Sequence, residues 1–275
     1  MSFRSISAAR SSALALAFVS ALMAAAGAPA QGPGHPADTL SYPFVAGLSR
    51  TSGESRVYFC AGTLIAPQWI LTAAHCFHSP SGQRIGEEDL WAEVGASWLK
   101  DVPEAAQVRI ERIVVHPDYD PASQANDIAL VRLDRIAGPL IAELQTSPLG
   151  AGRRSGVVLG FGSFYEGRLA INARRSSGAS RAQLLDRLRQ AGVLLLDRNE
   201  CGARREGAAL GPGLICVGAG ALESCVGDSG GPLVVGDRLA GILSDRTGCD
   251  GFQPAALYTD VSAFAPWIAQ VIAGR

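Results

Sequence analysis

The stretch Gly227-Asp228-Ser229-Gly230-Gly231-Pro232 sets a serine among glycines and closes the turn with a proline. A serine hydroxyl is a poor nucleophile near neutral pH. A reactive one therefore needs a nearby base, and hydrogen-bond donors for the oxygen charge it creates. Flanking glycines permit both, because they adopt backbone angles that a side chain forbids and let a substrate carbonyl approach main-chain N–H groups.

The base must come from elsewhere in the chain, and its position decides between folds. Gly227-x-Ser229-x-Gly231 also fits the nucleophile elbow of the α/β-hydrolases, in which the histidine follows the serine. Here the four histidines are His35, His75, His78 and His116, and all precede Ser229. His75 ends Leu71-Thr72-Ala73-Ala74-His75-Cys76, small residues at the end of a strand where a disulfide could pin the imidazole, whereas His116 in His116-Pro117-Asp118-Tyr119 reads as a turn residue. Asp127, in Asn126-Asp127-Ile128-Ala129-Leu130, stands at the mouth of an apolar strand and is the candidate acid to orient His75.

The composition agrees with a β-rich globule. The 275 residues are 48% hydrophobic and 18% charged, with 32 Gly and 15 Pro marking frequent turns. A net charge of −1 gives no general attraction for nucleic acid or an anionic membrane. Short apolar runs recur at strand length: 44–48, 57–59, 62–65, 69–71, 108–115, 128–133, 157–160, 192–196, 233–235 and 239–243. Two segments depart from that pattern. Residues 166–190 are rich in arginine and read as a long solvated loop, while Phe264, Trp267, Ile268, Val271 and Ile272 fall at helical spacing.

Residues 1–30 read as a secretory signal: Arg4 and Arg10, an apolar run from Ser12 to Ala26, then Ala28-Pro29-Ala30 as the cleavage site. Residues 31–41 read as a loose N-terminal arm and 42–272 as the folded domain. Beyond the signal lie six cysteines, an even number that suggests three disulfides in an exported chain without choosing among the 15 pairings. The acidic run Glu87-Glu88-Asp89 lacks the patterned oxygen ligands of a calcium site, and no metal or other cofactor is expected.

With T-A-A-H-C at 72–76, N-D-I-A-L at 126–130 and G-D-S-G-G-P at 227–232, the chain resembles the trypsin/chymotrypsin-like serine proteases from about Tyr42 to Ile272. Gly160-Phe161-Gly162 and Tyr258-Thr259-Asp260-Val261 extend the likeness. The resemblance implies an all-β fold of two six-stranded antiparallel barrels with a C-terminal α-helix. It implies His75, Asp127 and Ser229 as a catalytic triad, the N–H groups of Gly227 and Ser229 as an oxyanion hole, and Ser244 as support for the triad carboxylate. It further implies disulfides Cys60 to Cys76, Cys201 to Cys216 and Cys225 to Cys249. The expected protein is a secreted monomer, extracellular or periplasmic, acting on protein or peptide substrates and open to a protein inhibitor. A catalytically silent homologue serving as a binding module is the alternative.

Departures from the family pattern concentrate in the specificity pocket and at the N-terminus. Glu223 stands at the pocket base, where the resemblance implies a trypsin-like preference for Arg or Lys. Arg246 replaces a glycine at the pocket entrance and Ala256 replaces a wall glycine, so the pocket is narrower. Three arrangements stay open: Glu223 holds a substrate cation, Arg246 folds inward onto Glu223, or Arg246 points outward and favours acidic or small side chains. No I-V-G-G sequence precedes Tyr42. The matching position falls near Gln31, which signal cleavage would expose, so export itself is expected to make the mature terminus without a separate activating cut, with either Gln31 or an arginine neutralising Asp228.

Overall fold

In a computed structural model, the described residues are 35–37, 39–53, 55–79, 82–99, 102–138, 140–150, 152–161, 187–205, 210–218, 228–244 and 255–274. Alternation builds the strands, and β6 (Gln107–Val115) shows how. Val108, Ile110 and Ile113 turn inward, while Arg109, Glu111 and Arg112 face outward. The doubled outward pair Glu111 and Arg112 is accommodated by a register shift against β7 (Ala129–Leu133) between Ile110 and Arg112.

These two strands belong to a closed barrel with β2 (Val45–Ser52), β3 (Ser55–Ala66), β4 (Trp69–Thr72) and β5 (Leu90–Val94), in the order β2-β3-β4-β7-β6-β5. A second barrel follows. It comprises β9 (Arg154–Gly160), β10 (Arg189–Leu196), β11 (Leu214–Gly218), β12 (Pro232–Val235), β13 (Arg238–Leu243) and β14 (Ala255–Asp260), closed by pairing of β10 with β9. All pairings within both barrels are antiparallel. Two short strands attach to the second: β1 (His35–Pro36) on β10, and β8 (Glu143–Leu144) on β13. Closure removes the open sheet edges that would otherwise invite aggregation.

Leu48, Leu64, Ile70, Leu71, Leu90 and Leu130 fill the first barrel, and Val193, Val217, Leu233 and Leu243 help fill the second. Each such side chain contributes about 1.5–3 kcal/mol through burial. Besides α1 (Arg198–Arg204), the described residues hold the helix α2 (Val261–Ile272), as the apolar spacing at the C-terminus implies. Asp260 caps α2 by accepting from Ser262 N–H at 2.9 Å. Val261, Phe264 and Ile268 form its buried stripe against the first core, beside Leu239 and Ile242 of β13.

The two-barrel architecture and C-terminal helix expected from the resemblance are present. Several elements differ in detail. The runs at 57–59 and 62–65 are parts of one strand, β3, while β5, β11, β14 and α1 lie outside the apolar runs read from the sequence. The arm is not loose throughout: His35 and Pro36 pair with Gln190 and Arg189, and Ala37 N–H donates to Leu188 O at 3.0 Å. Residues 187–190, at the end of the arginine-rich segment, are likewise paired, and 162–186 lie outside the described residues.

Candidate active site

His75 sits in the 3₁₀ turn Ala74–Phe77 that follows β4, and the turn is wholly buried. Cys76 is bonded to Cys60 of β3, which clamps this turn to the barrel wall. Asp127 precedes β7 and follows Asn126, whose backbone is in the left-handed region at φ 55° and whose amide donates to Asp118 O at 2.8 Å. Asparagine tolerates that conformation better than most residues. The resulting kink brings Asp127 against His75.

The contact is double. Asp127 Oδ1 accepts from His75 main-chain N–H at 2.8 Å, and Oδ2 lies 2.7 Å from Nδ1. Ser244, immediately after β13, donates its hydroxyl to the same Oδ2 at 2.6 Å. Asp127 is only 1% exposed, so its charge is compensated by directed donors rather than water. A carboxylate accepting at Nδ1 selects the tautomer with the proton there, leaving Nε2 as the acceptor. That Nε2 is buried and bonds to no described group.

Ser229 lies in a turn just before β12, 3% exposed. Gly230, at φ 79°, carries the chain through a conformation suited to glycine, and Gly231 N–H closes the turn on Asp228 O at 2.8 Å. Two contacts bring Ser229 to the first barrel: its carbonyl accepts from Ala61 N–H of β3 at 2.8 Å and lies 3.8 Å from Cys76 Sγ. No hydrogen bond joins the Ser229 hydroxyl to His75 Nε2. Such bonds are often long without substrate and tighten when it binds.

Asp228, next to the serine, is also buried, and its carboxylate packs so closely on Gly160 that a Cβ there would fall 2.0 Å from Oδ1. Two phenols, that of the partly buried Tyr58 and that of the buried Tyr258, sense this charge. Burial first, then Asp228 and Glu93, hold Tyr58 well above the ordinary tyrosine range; burial and Asp228 do the same to Tyr258. Both phenols therefore keep their protons near neutral pH.

Donor atoms of Cys60, His75 and Cys76 lie within 4.8 Å of one another. The two sulfurs are joined in a disulfide, so they are not thiolate ligands and this set does not suit a metal ion. Of the remaining expected site residues, Ala256 lies buried in β14 opposite Val217, and Ser244 N–H donates to Leu257 O at 3.0 Å. Cys201 is bonded to Cys216. Gly227, Glu223, Arg246 and the pair Cys225 and Cys249 lie outside the described residues, as does Gln31. Sequence reasoning missed Thr259, whose hydroxyl donates to Asp127 O at 2.8 Å, and Thr72, whose hydroxyl donates to Ala61 O at 2.7 Å. Both belong to motifs that carry the family resemblance, but nothing in a motif reveals which distant carbonyl a threonine will meet.

The fold defines a class, the double β-barrel of the serine proteases. The trypsin family model matches residues 32–268. Hypodermin-B of Hypoderma lineatum is 30% identical over 247 residues, covering 86% of this chain and 85% of that protein. Trypsin of Sus scrofa is 33% identical over 230 residues, or 82% and 90% of the two chains, and trypsin of Xenopus laevis 31% over 224 residues, or 79% and 82%. The chain belongs to the trypsin family.

Proposed function

We propose that the protein is an exported serine endopeptidase in which Ser229 is the nucleophile, His75 the general base and Asp127 the group that orients it. His75 Nε2 takes the hydroxyl proton as Ser229 Oγ attacks the scissile carbonyl. The N–H groups of Gly227 and Ser229 donate to the resulting oxyanion, and losing one such donor costs about 3–4 kcal/mol of transition-state stabilisation. The imidazolium then returns its proton to the leaving amine, and water releases the acyl group by the same path in reverse. The observation that carries this reading is the short bond from Asp127 Oδ2 to His75 Nδ1, which leaves a buried Nε2 as an acceptor on a turn whose Cys76 Sγ lies 3.8 Å from Ser229 O.

Glu223 is proposed to favour substrates with Arg or Lys, with Arg246 and Ala256 narrowing the pocket. Two disulfides support passage through an oxidising compartment, consistent with a signal at residues 1–30. Among the described residues no helix is long and apolar enough to cross a membrane. A monomer acting on proteins or peptides, blocked by a protein inhibitor bound in the same cleft, completes the proposal.

The test is hydrolysis of a peptide library by the mature protein and by Ser229→Ala. The expected result is cleavage after basic residues by the former and none by the latter, with equal melting temperatures. Comparable turnover by the alanine variant would refute the assignment, and a folded wild-type protein with no turnover would favour the silent binding homologue.

A further inference from the structure

The reacting groups are divided between two bodies. His75 and Asp127 belong to the first barrel, and Ser229 enters β12 of the second, so the gap between base and nucleophile is set by how the barrels meet. We propose that two buried threonine hydroxyls, those of Thr72 and Thr259, are positioning groups that set this gap. The inference rests on the reading of Ser229 and His75 given above.

Thr72 ends β4, three residues before His75, and is wholly buried. Its hydroxyl donates to Ala61 O at 2.7 Å, and Ala61 N–H donates to Ser229 O at 2.8 Å. One side chain thus ties the strand that leads into the base to Ala61, the residue whose N–H holds the carbonyl of the nucleophile. The fit is close: a Cβ on Gly230 would fall 2.1 Å from Thr72 Oγ1 and 2.4 Å from Ala61 O. The serine turn is seated on this pair, and a shift of either moves the turn.

Thr259, 1% exposed in β14, works from the opposite side. It donates across the barrel boundary to Asp127 O at 2.8 Å, while Ser244 takes the carboxylate of the same residue. A side-chain bond alone would leave Asp127 free to pivot. With its main chain also held, the carboxylate has a defined position and tilt, and so has the imidazole it accepts from. Asp127 lies between the turn at Asn126, left-handed at φ 55°, and the start of β7 at Ala129, so its carbonyl is held by the Thr259 hydroxyl outside the strand ladder.

The role predicted for each threonine depends on its hydroxyl and not on its volume, so valine and serine separate the two explanations. Small displacements far from the reacting atoms can reduce rates by up to about a hundredfold. Thr72→Val and Thr259→Val are each expected to lower kcat and the rate of fluorophosphonate labelling at Ser229 by about tenfold or more, with KM changed less than about twofold. Thr72→Ser and Thr259→Ser keep the donor and are expected to stay within about threefold of wild type. Folded valine variants labelled at the wild-type rate would overturn the inference. So would folded serine variants as slow as the valine ones, and that comparison also decides if a valine variant does not fold, because a large loss in serine alone assigns the effect to the methyl group. A wild-type protein that is not labelled at all would instead refute the proposed function.

Discussion

At Asp127 both carboxylate oxygens and the carbonyl have partners brought from distant parts of the chain. The shortest, from Ser244, is a bond to a buried charge, and such bonds contribute about 1.5–3 kcal/mol. Ser244→Ala is therefore expected to lower kcat by roughly tenfold or more with little change in KM, as steady-state kinetics would reveal. Glu93 presents the opposite case. Its carboxyl is buried, takes Ser49 Oγ at 2.6 Å and Arg56 at 3.3 Å, and has no partner at Oε2 among the described residues. Burial outweighs both partners and raises its pKa above 4.5. A raised carboxyl pKa means that the folded state holds the proton more readily, so this group's contribution to stability is present at low pH and is lost as pH rises through its folded-state value. Glu93→Gln should thus flatten that part of the pH profile in urea titrations; an unchanged profile would show that the ionised form is fully compensated. His75, Asp127 and Ser229 were legible in the sequence because short motifs in a fixed order name them. Thr72, Thr259 and Glu93 were not singled out, since their roles come from neighbours supplied by other strands.

Among the elements, α2 joins the site to the rest of the fold, because it follows directly on β14 and packs on the first barrel's core. Ile268→Ala would open a cavity under it and is expected to cost about 2–5 kcal/mol in a denaturant titration. The helix also carries a pH response. The His116 ring lies 5.1 Å from that of Phe264 and 4.9 Å from that of Trp267, and its Nδ1 accepts from Asp118 N–H at 3.2 Å. Burial pushes its pKa below 6.5, against an opposing pull from Asp118. The unfolded chain then binds the proton more readily, so stability falls as pH drops below 6.5 towards the lower folded-state value. His116→Gln should remove this component from a series of melting curves between pH 7 and 5. Helix α2 was readable because its apolar residues keep a clean period, and β6 because Val108 and Ile110 alternate with charged residues before the doubled pair Glu111 and Arg112. In β5, Glu93 interrupts the apolar run, and in α1 only Cys201 is buried, so neither element has a period to read.

For the molecule as a whole, the two barrels were legible only through the family motifs, since runs of short strands fit a sandwich equally well. The seam between them depends on bonds that no local pattern encodes. One of its supports is covalent: the Cys60–Cys76 disulfide fixes the His75 turn to β3, the strand that also holds Ser229. Replacing both cysteines by serine is expected to lower stability by about 2–5 kcal/mol and to slow peptide hydrolysis at temperatures where the protein is still folded. Whether these distant residues make one serine reactive is checked directly by intact-mass and peptide-mapping analysis of the folded, disulfide-bonded protein after exposure to a fluorophosphonate. A single adduct on Ser229, lost in His75→Ala, is the expected result; an unmodified Ser229, or an adduct that forms as fast without the imidazole, would contradict it.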